Sequence, residues 1–152
     1  MSNIFINIKD LSAPLLGLDI GDARIGVAFA PKGSHIAVSL PTIHEKNPLK
    51  AVDEIINLCQ IRSIESIVVG WPLHMDGQEG DRCQKVLKFC QLLWAQRPDV
   101  KIANWDERLS SVFSHKITQD FHIKRTKKKE TIDANSAIFI LQGALDMIFF
   151  NR

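Results

Sequence analysis

The sequence predicts a short α/β domain: a mixed five-stranded sheet with helices on both faces. Three observations carry this. Three short apolar runs near the start are joined by glycine-containing turns, as in an antiparallel meander. From residue 48 onward, helical spacing of apolar residues alternates with short buried runs, which makes β–α–β crossovers. The 152 residues are enough for one core and too few for two ordinary domains.

Residues 1–14 read as an N-terminal extension ending at Pro14, with one domain over 15–152. Residues 15–20 (LLGLDI) are apolar and bounded by turn signals, hence a buried strand. A second strand covers 24–30, and the short link Gly21-Asp22-Ala23 favours a hairpin. A third strand, 35–40, follows a turn at Gly33. Pro48 suits a first helical turn. Leu49, Val52, Ile55, Ile56 and Cys59 then form one apolar face of a helix reaching residue 60. Residues 66–70 (SIVVG) are a buried strand, and 71–80 a loop rich in glycine, proline and aspartate. An amphipathic helix spans 81–96, a strand 100–105 and a further helix 109–118. Residues 119–130 are polar and basic, and the last helix runs over 132–149.

Apolar residues make up 45% and charged residues 24%, the mix of a soluble globular protein. The net charge of +2 is too small to imply a polyanionic partner, so the placement of charge matters more. No run of about eighteen apolar residues exists, so no membrane partner is expected. The start of the chain lacks the basic and apolar regions of a secretory signal, so a cytoplasmic location is expected. Cys59, Cys83 and Cys90 form no C-x-x-C pair and read as reduced, buried thiols.

Asp19 is an acid inside an apolar strand, which is costly without partners. It can ligate a hard cation, sit by a phosphate cradled in the glycine turn, or cap the backbone at 22–24. Asp106-Glu107-Arg108 ends a predicted strand, where ligands of open α/β sheets gather. A metal ligand with a phosphate-contacting arginine fits there, and so does an ordinary helix entrance. Asp133 shares a helical face with Ala137, Ile140, Leu141 and Ala144, small and apolar residues suited to packing on the sheet. It also suits a first-turn acid facing the helix dipole. Residues 124–129 (KRTKKK) hold five cations in six residues. Such a run is a solvated face, charge balance for the acids, or a binder of phosphates. Trp71 can stack on a base or pack at a sheet edge. His74 can carry protons or simply be solvated. If Asp19, Glu107 and Asp133 meet at one sheet edge, they would hold one or two magnesium ions for phosphodiester hydrolysis.

Four segments in order also carry a resemblance: LGLDIGDARIGVA, VVGWPLHMDGQEG, DERLSS, and the lysine-rich stretch leading to DANSAIFILQ. From about residue 15 to 150 the chain resembles the bacterial YqgF family, also called RuvX and associated with pre-16S rRNA processing. That family is related to the RuvC Holliday-junction resolvase. The resemblance implies a ribonuclease-H-like fold and a nuclease dependent on Mg2+ or Mn2+. Its acids map onto Asp19, Glu107 and Asp133, with Asp106 against Glu107 left open as the metal ligand. It implies nucleic acid as partner, the 5′ end of precursor rRNA or branched DNA. Arg24, Arg108, Lys127, Lys128 and Lys129 are the expected substrate-binding cations. Trp71 replaces a usual smaller aliphatic residue, His74 an asparagine and Ser136 an alanine. Trimming one RNA end would suit a monomer, and paired cutting of a junction a homodimer. Two competing readings remain: a nucleotide-binding or phosphotransfer module, and a nucleic-acid-binding factor without catalysis.

Overall fold

The computed structural model describes residues 4–109 and 125–150; over 125–135 it describes the backbone. Five strands form one sheet: β1 (Leu15–Ile20), β2 (Ile25–Ala30), β3 (Val38–Ile43), β4 (Ser66–Trp71) and β5 (Lys101–Asp106). Their spatial order is β3-β2-β1-β4-β5. β1 pairs antiparallel with β2, and β2 with β3, while β1, β4 and β5 run parallel. The hairpin is closed by the Gly21 amide, which donates to the Arg24 carbonyl at 3.0 Å. The sheet is mixed because the early strands are joined by short turns. The later ones are joined through helices, which return the chain to the same end.

Helices cover both faces. α1 (Pro48–Arg62) begins at Asn47, whose side chain accepts from the Leu49 and Lys50 amides. It ends on Ser63 in the left-handed conformation. α1 and α2 (Asp81–Gln96) pack Val52, Ile55, Cys59, Val86, Phe89 and Leu93 against Leu16, Leu18, Val27, Ile67 and Val69. On the opposite face, α3 (Arg125–Phe150) packs Ala137, Ile140, Leu141, Ala144, Leu145 and Ile148 against Leu15, Ala28, Val68 and Ala103. Odd and even strand positions thus belong to different cores, as the pleat requires. Gly17 lets α3 approach closely: a Cβ there would sit 2.7 Å from Leu141 Cβ and 3.2 Å from the Ala137 carbonyl oxygen. All three cysteines are buried. Burial pushes the Cys59 thiol up to about 11 and that of Cys90 to about 12, so both stay protonated and unreactive.

Several boundaries differ from the sequence reading. β3 starts at Val38, not 35, because Gln142 of α3 captures the preceding backbone. Its Oε1 accepts from the Ala37 amide and its Nε2 donates to the His35 carbonyl. α3 starts at Arg125, so Arg125, Lys127, Lys128 and Lys129 are helical rather than part of a polar connection. The helix expected over 109–118 lies outside the described residues, apart from a 3-10 turn at Glu107–Leu109. The segment before Pro14 packs onto the domain: Phe5 bridges to Ile102 of β5, and Ile8 and Leu11 are buried with the α3 core.

Candidate active site

Alternation places Asp19 on the α3 face, two residues after Gly17 and at the carboxyl end of β1. On β2 its register partner is Gly26. The β1–β4 register, which pairs Leu18 with Val69, carries on to set Gly70 level with Asp19. Both flanks of the carboxylate are therefore bare of side chains. β5 lies two strands away, about 10 Å at the usual spacing. Glu107, the first residue after β5, bridges that gap by lying across Gly70: a Cβ at Gly70 would collide with Glu107 Oε1. The Glu107 carboxyl reaches Asp19 and hydrogen-bonds to it.

The electrostatics follow from this pairing. Burial first, then the Asp19 charge and the hydrogen bond to Asp19, raise the Glu107 pKa from 4.5 to about 8. The Arg82 cation opposes this, and Asp106 adds to it. Two carboxyl groups this close cannot both ionise without a countercharge. At neutral pH Glu107 holds a proton and donates it towards Asp19. An all-oxygen pair that carries an excess proton is chemically suited to a hard divalent cation, which would displace that proton.

Asp106 stands apart. Arg108 grips it through Nε at 3.0 Å and Nη2 at 2.7 Å, which holds the Asp106 carboxyl below its ordinary range. Arg108 Nη1 also donates to the Met75 carbonyl, tying the 72–80 loop to the end of β5. Of the two adjacent acids, Glu107 is the one that meets Asp19. Among the described residues no group of three or more His, Cys, Asp or Glu comes together. Asp133 lies in α3 one turn before the buried Ala137, and its side chain is outside the described residues, as are those of Lys127, Lys128 and Lys129.

The family model described as "RuvX: Holliday junction resolvase" matches residues 13–147. This chain belongs to the RuvX family. A Clostridium novyi (strain NT) relative named "Putative pre-16S rRNA nuclease" is 37% identical over 134 residues, 88% of this chain and 98% of that protein. A Rhodospirillum centenum protein of the same name is 37% identical over 153 residues, 93% of this chain and 81% of its own length. Among solved structures, Thermus thermophilus RuvC in complex with a Holliday junction substrate matches with a TM-score of 0.53 and 12% identity, covering 88% and 94% of the two chains. The yeast mitochondrial Holliday junction resolvase Ydc2 matches with a TM-score of 0.52 and 11% identity, covering 95% and 85%. At such identities the likeness is one of fold, and that fold is ribonuclease-H-like.

In this RuvX chain, Arg24 shares with Asp19 and Gly26 a cleft of about 220 Å3. Trp71 is buried and meets Phe5 edge-on at 5.2 Å, so it packs rather than offering a stacking face. His74 is exposed in a turn whose Gly77 amide donates to the His74 carbonyl. Two residues escaped the sequence reading. Gly70 is one: a glycine inside a strand often marks a close approach, and here the visitor is Glu107. Arg82 is the other. It lines the Asp19 cleft and bears electrostatically on Glu107. A cation in the first turn of a helix opposes the helix dipole, and that breach of a local rule was the available signal.

Proposed function

We propose that this chain is a metal-dependent nuclease, a hydrolase of phosphodiester bonds. Asp19, Glu107 and Asp133 would hold Mg2+ or Mn2+, in one- or two-ion form. The observation that carries this is the Asp19–Glu107 pair, two strands apart in the sheet and brought together over Gly70. A bound divalent cation supplies an activated water and charge stabilisation for the leaving oxygen. The protein's own groups do the rest. Glu107 would hold the cation as a carboxylate, its proton passing to solvent. Arg24 and Arg82 line the Asp19 cleft, where they would neutralise a phosphodiester. Lys127, Lys128 and Lys129, at the start of the helix that bears Asp133, would supply further cations for the strand.

The names of the relatives favour precursor 16S rRNA as substrate; our reading places the cut at its 5′ end, in the cytoplasm, a task that would need only a monomer. The family description keeps branched DNA as the second reading, and paired cutting of a junction would call for a homodimer. Among the described residues no helix is long and apolar enough to cross a membrane. Cleavage of precursor rRNA and of a four-way junction, each with Mg2+ and with Mn2+, separates the two. Asp19→Asn and Glu107→Gln are expected to lower cleavage by at least two orders of magnitude while far-UV CD stays unchanged. A folded Asp19→Asn protein with full activity would overturn the mechanism.

A further inference from the structure

The acid pair occupies the α3 face of the sheet. Ile20, the next residue along β1, falls on the other face and lines a separate cavity of about 330 Å3 beneath the hairpin. Its floor is apolar, with Ile20, Phe89 and Leu92. Its rim carries Lys46 from the turn before α1 and Lys85 and Lys88 from α2, set against two acids, Asp22 and Glu45, of which Asp22 is already paired with Lys85. The cavity shares part of its lining with the proposed catalytic edge. Gly21 and Asp22 line both it and the Asp19 cleft, and between them lies a third cleft lined by Arg82, Lys85 and Asp22. Along α2, Arg82, Lys85 and Lys88 are spaced three apart and so form one basic row, with about 9 Å of helix rise between its two ends. Lys85 donates to Asp22 at 2.9 Å, an exposed ion pair beside the passage between the two openings.

We propose that this cavity receives a base of the single-stranded substrate, flanking the scissile phosphate, while the Arg82–Lys85–Lys88 row carries the intervening phosphates. The proposal rests on the nuclease reading for its substrate. Its volume lies at the small end of ligand sites, roughly 300–1,000 Å3, which suits one nucleotide and not a duplex. Apolar walls favour a flat base face, and a lysine rim favours the attached phosphate. A solvated lysine face would not need an apolar floor beneath it. A purely apolar groove for a protein partner would not carry an excess of lysines over acids at its rim.

The test uses the full chain in EDTA, with short single-stranded oligoribonucleotides carrying 2-aminopurine at one position in turn. One position is expected to become several-fold less accessible to acrylamide quenching on binding. Ala51→Leu, which fills the cavity wall, should abolish that shielding. Lys46→Ala with Lys88→Ala should weaken binding about tenfold and lower the log K–log salt slope by about 0.7 for each lost phosphate contact. The lysine variants are on the surface and serve if Ala51→Leu does not fold. Absence of RNA binding, or shielding and salt slope unchanged in the folded variants, overturns the proposal. If wild-type RNA is cleaved while these variants behave as wild type, only the cavity assignment falls. If shielding is lost in the variants but no metal supports cleavage, the cavity stands and the nuclease reading falls.

Discussion

Glu107 is the residue on which the proposed chemistry turns, and its raised pKa makes the site testable without substrate. The folded protein holds a proton on Glu107 that the unfolded chain releases above pH 4.5, because the folded pKa is about 8. In the metal-free protein this term therefore favours folding at low pH. It is lost as pH rises between those two values. Urea unfolding in EDTA is expected to show stability falling across this window, and Mg2+ should remove the slope by replacing the proton. Asp19→Asn deletes one of the repelling charges. It should raise metal-free stability at pH 8 by about 1 kcal/mol while destroying cleavage, a trade common where function conflicts with packing. A flat pH profile in EDTA would show that the two carboxyls do not interact. Gly70→Ala tests the same contact from beneath. The colliding atoms, Glu107 Oε1 and Ile140 Cδ1, are ends of flexible side chains. The fold should survive with a loss of about 1–2 kcal/mol, but Glu107 should be displaced. Metal affinity by calorimetry should then drop together with activity. Asp19 was legible as a candidate because an acid between Leu18 and Ile20 breaks the apolar pattern. Its partner was narrowed only to Asp106 or Glu107. That choice depends on Arg108 folding back onto Asp106, a contact no spacing rule reveals.

At the level of elements, strand and helix interiors were legible and their ends less so. α2 matches the expected span because Gly80 precedes it and apolar periodicity runs through it. β3 was misplaced by three residues because the strand was expected directly after the Gly33 turn, where Ile36 is a strand former. The hydrogen bonds that withdraw residues 35–37 come from Gln142, more than a hundred residues later. α3 begins earlier than expected because its first turns carry lysines, which are good helix formers but leave no apolar stripe to count. The seating of α3 on the sheet has its own test at Gly17. A Cβ there meets Leu141 Cβ at 2.7 Å and a backbone oxygen of Ala137, neither of which can move without the helix. Gly17→Ala is expected to cost about 1–3 kcal/mol, read as a lower urea midpoint at constant m-value. It should also reduce metal affinity, since any shift of α3 moves Asp133 relative to Asp19. Destabilisation with wild-type metal affinity would separate α3 from the site.

Across the whole molecule, the proposed ligands belong to elements that otherwise meet only through the sheet and its cores. Asp19 lies one residue before the end of β1, Glu107 follows β5 two strands away, and Asp133 belongs to the helix laid mainly over β1, β2 and β3. A cation held by all three would join the sheet edge to the start of α3, while α1 and α2 on the other face would feel it only indirectly. Mass action fixes the size of the effect: a ligand binding only the folded state at a hundred times its Kd adds about 2.7 kcal/mol. Mg2+ or Mn2+ at that excess should therefore raise the melting temperature by several degrees in the wild type and not in Asp19→Asn. The location of the effect discriminates further. Hydrogen exchange should slow at 106–109 and in the first turns of α3, with α1 amides unchanged, because stabilisation by joining elements appears first where the join is made. Protection spread evenly over both helical faces would mean that the cation binds elsewhere or acts only on global stability. Protection at 106–109 without α3 would leave Asp19 and Glu107 as a two-acid site and remove Asp133 from it.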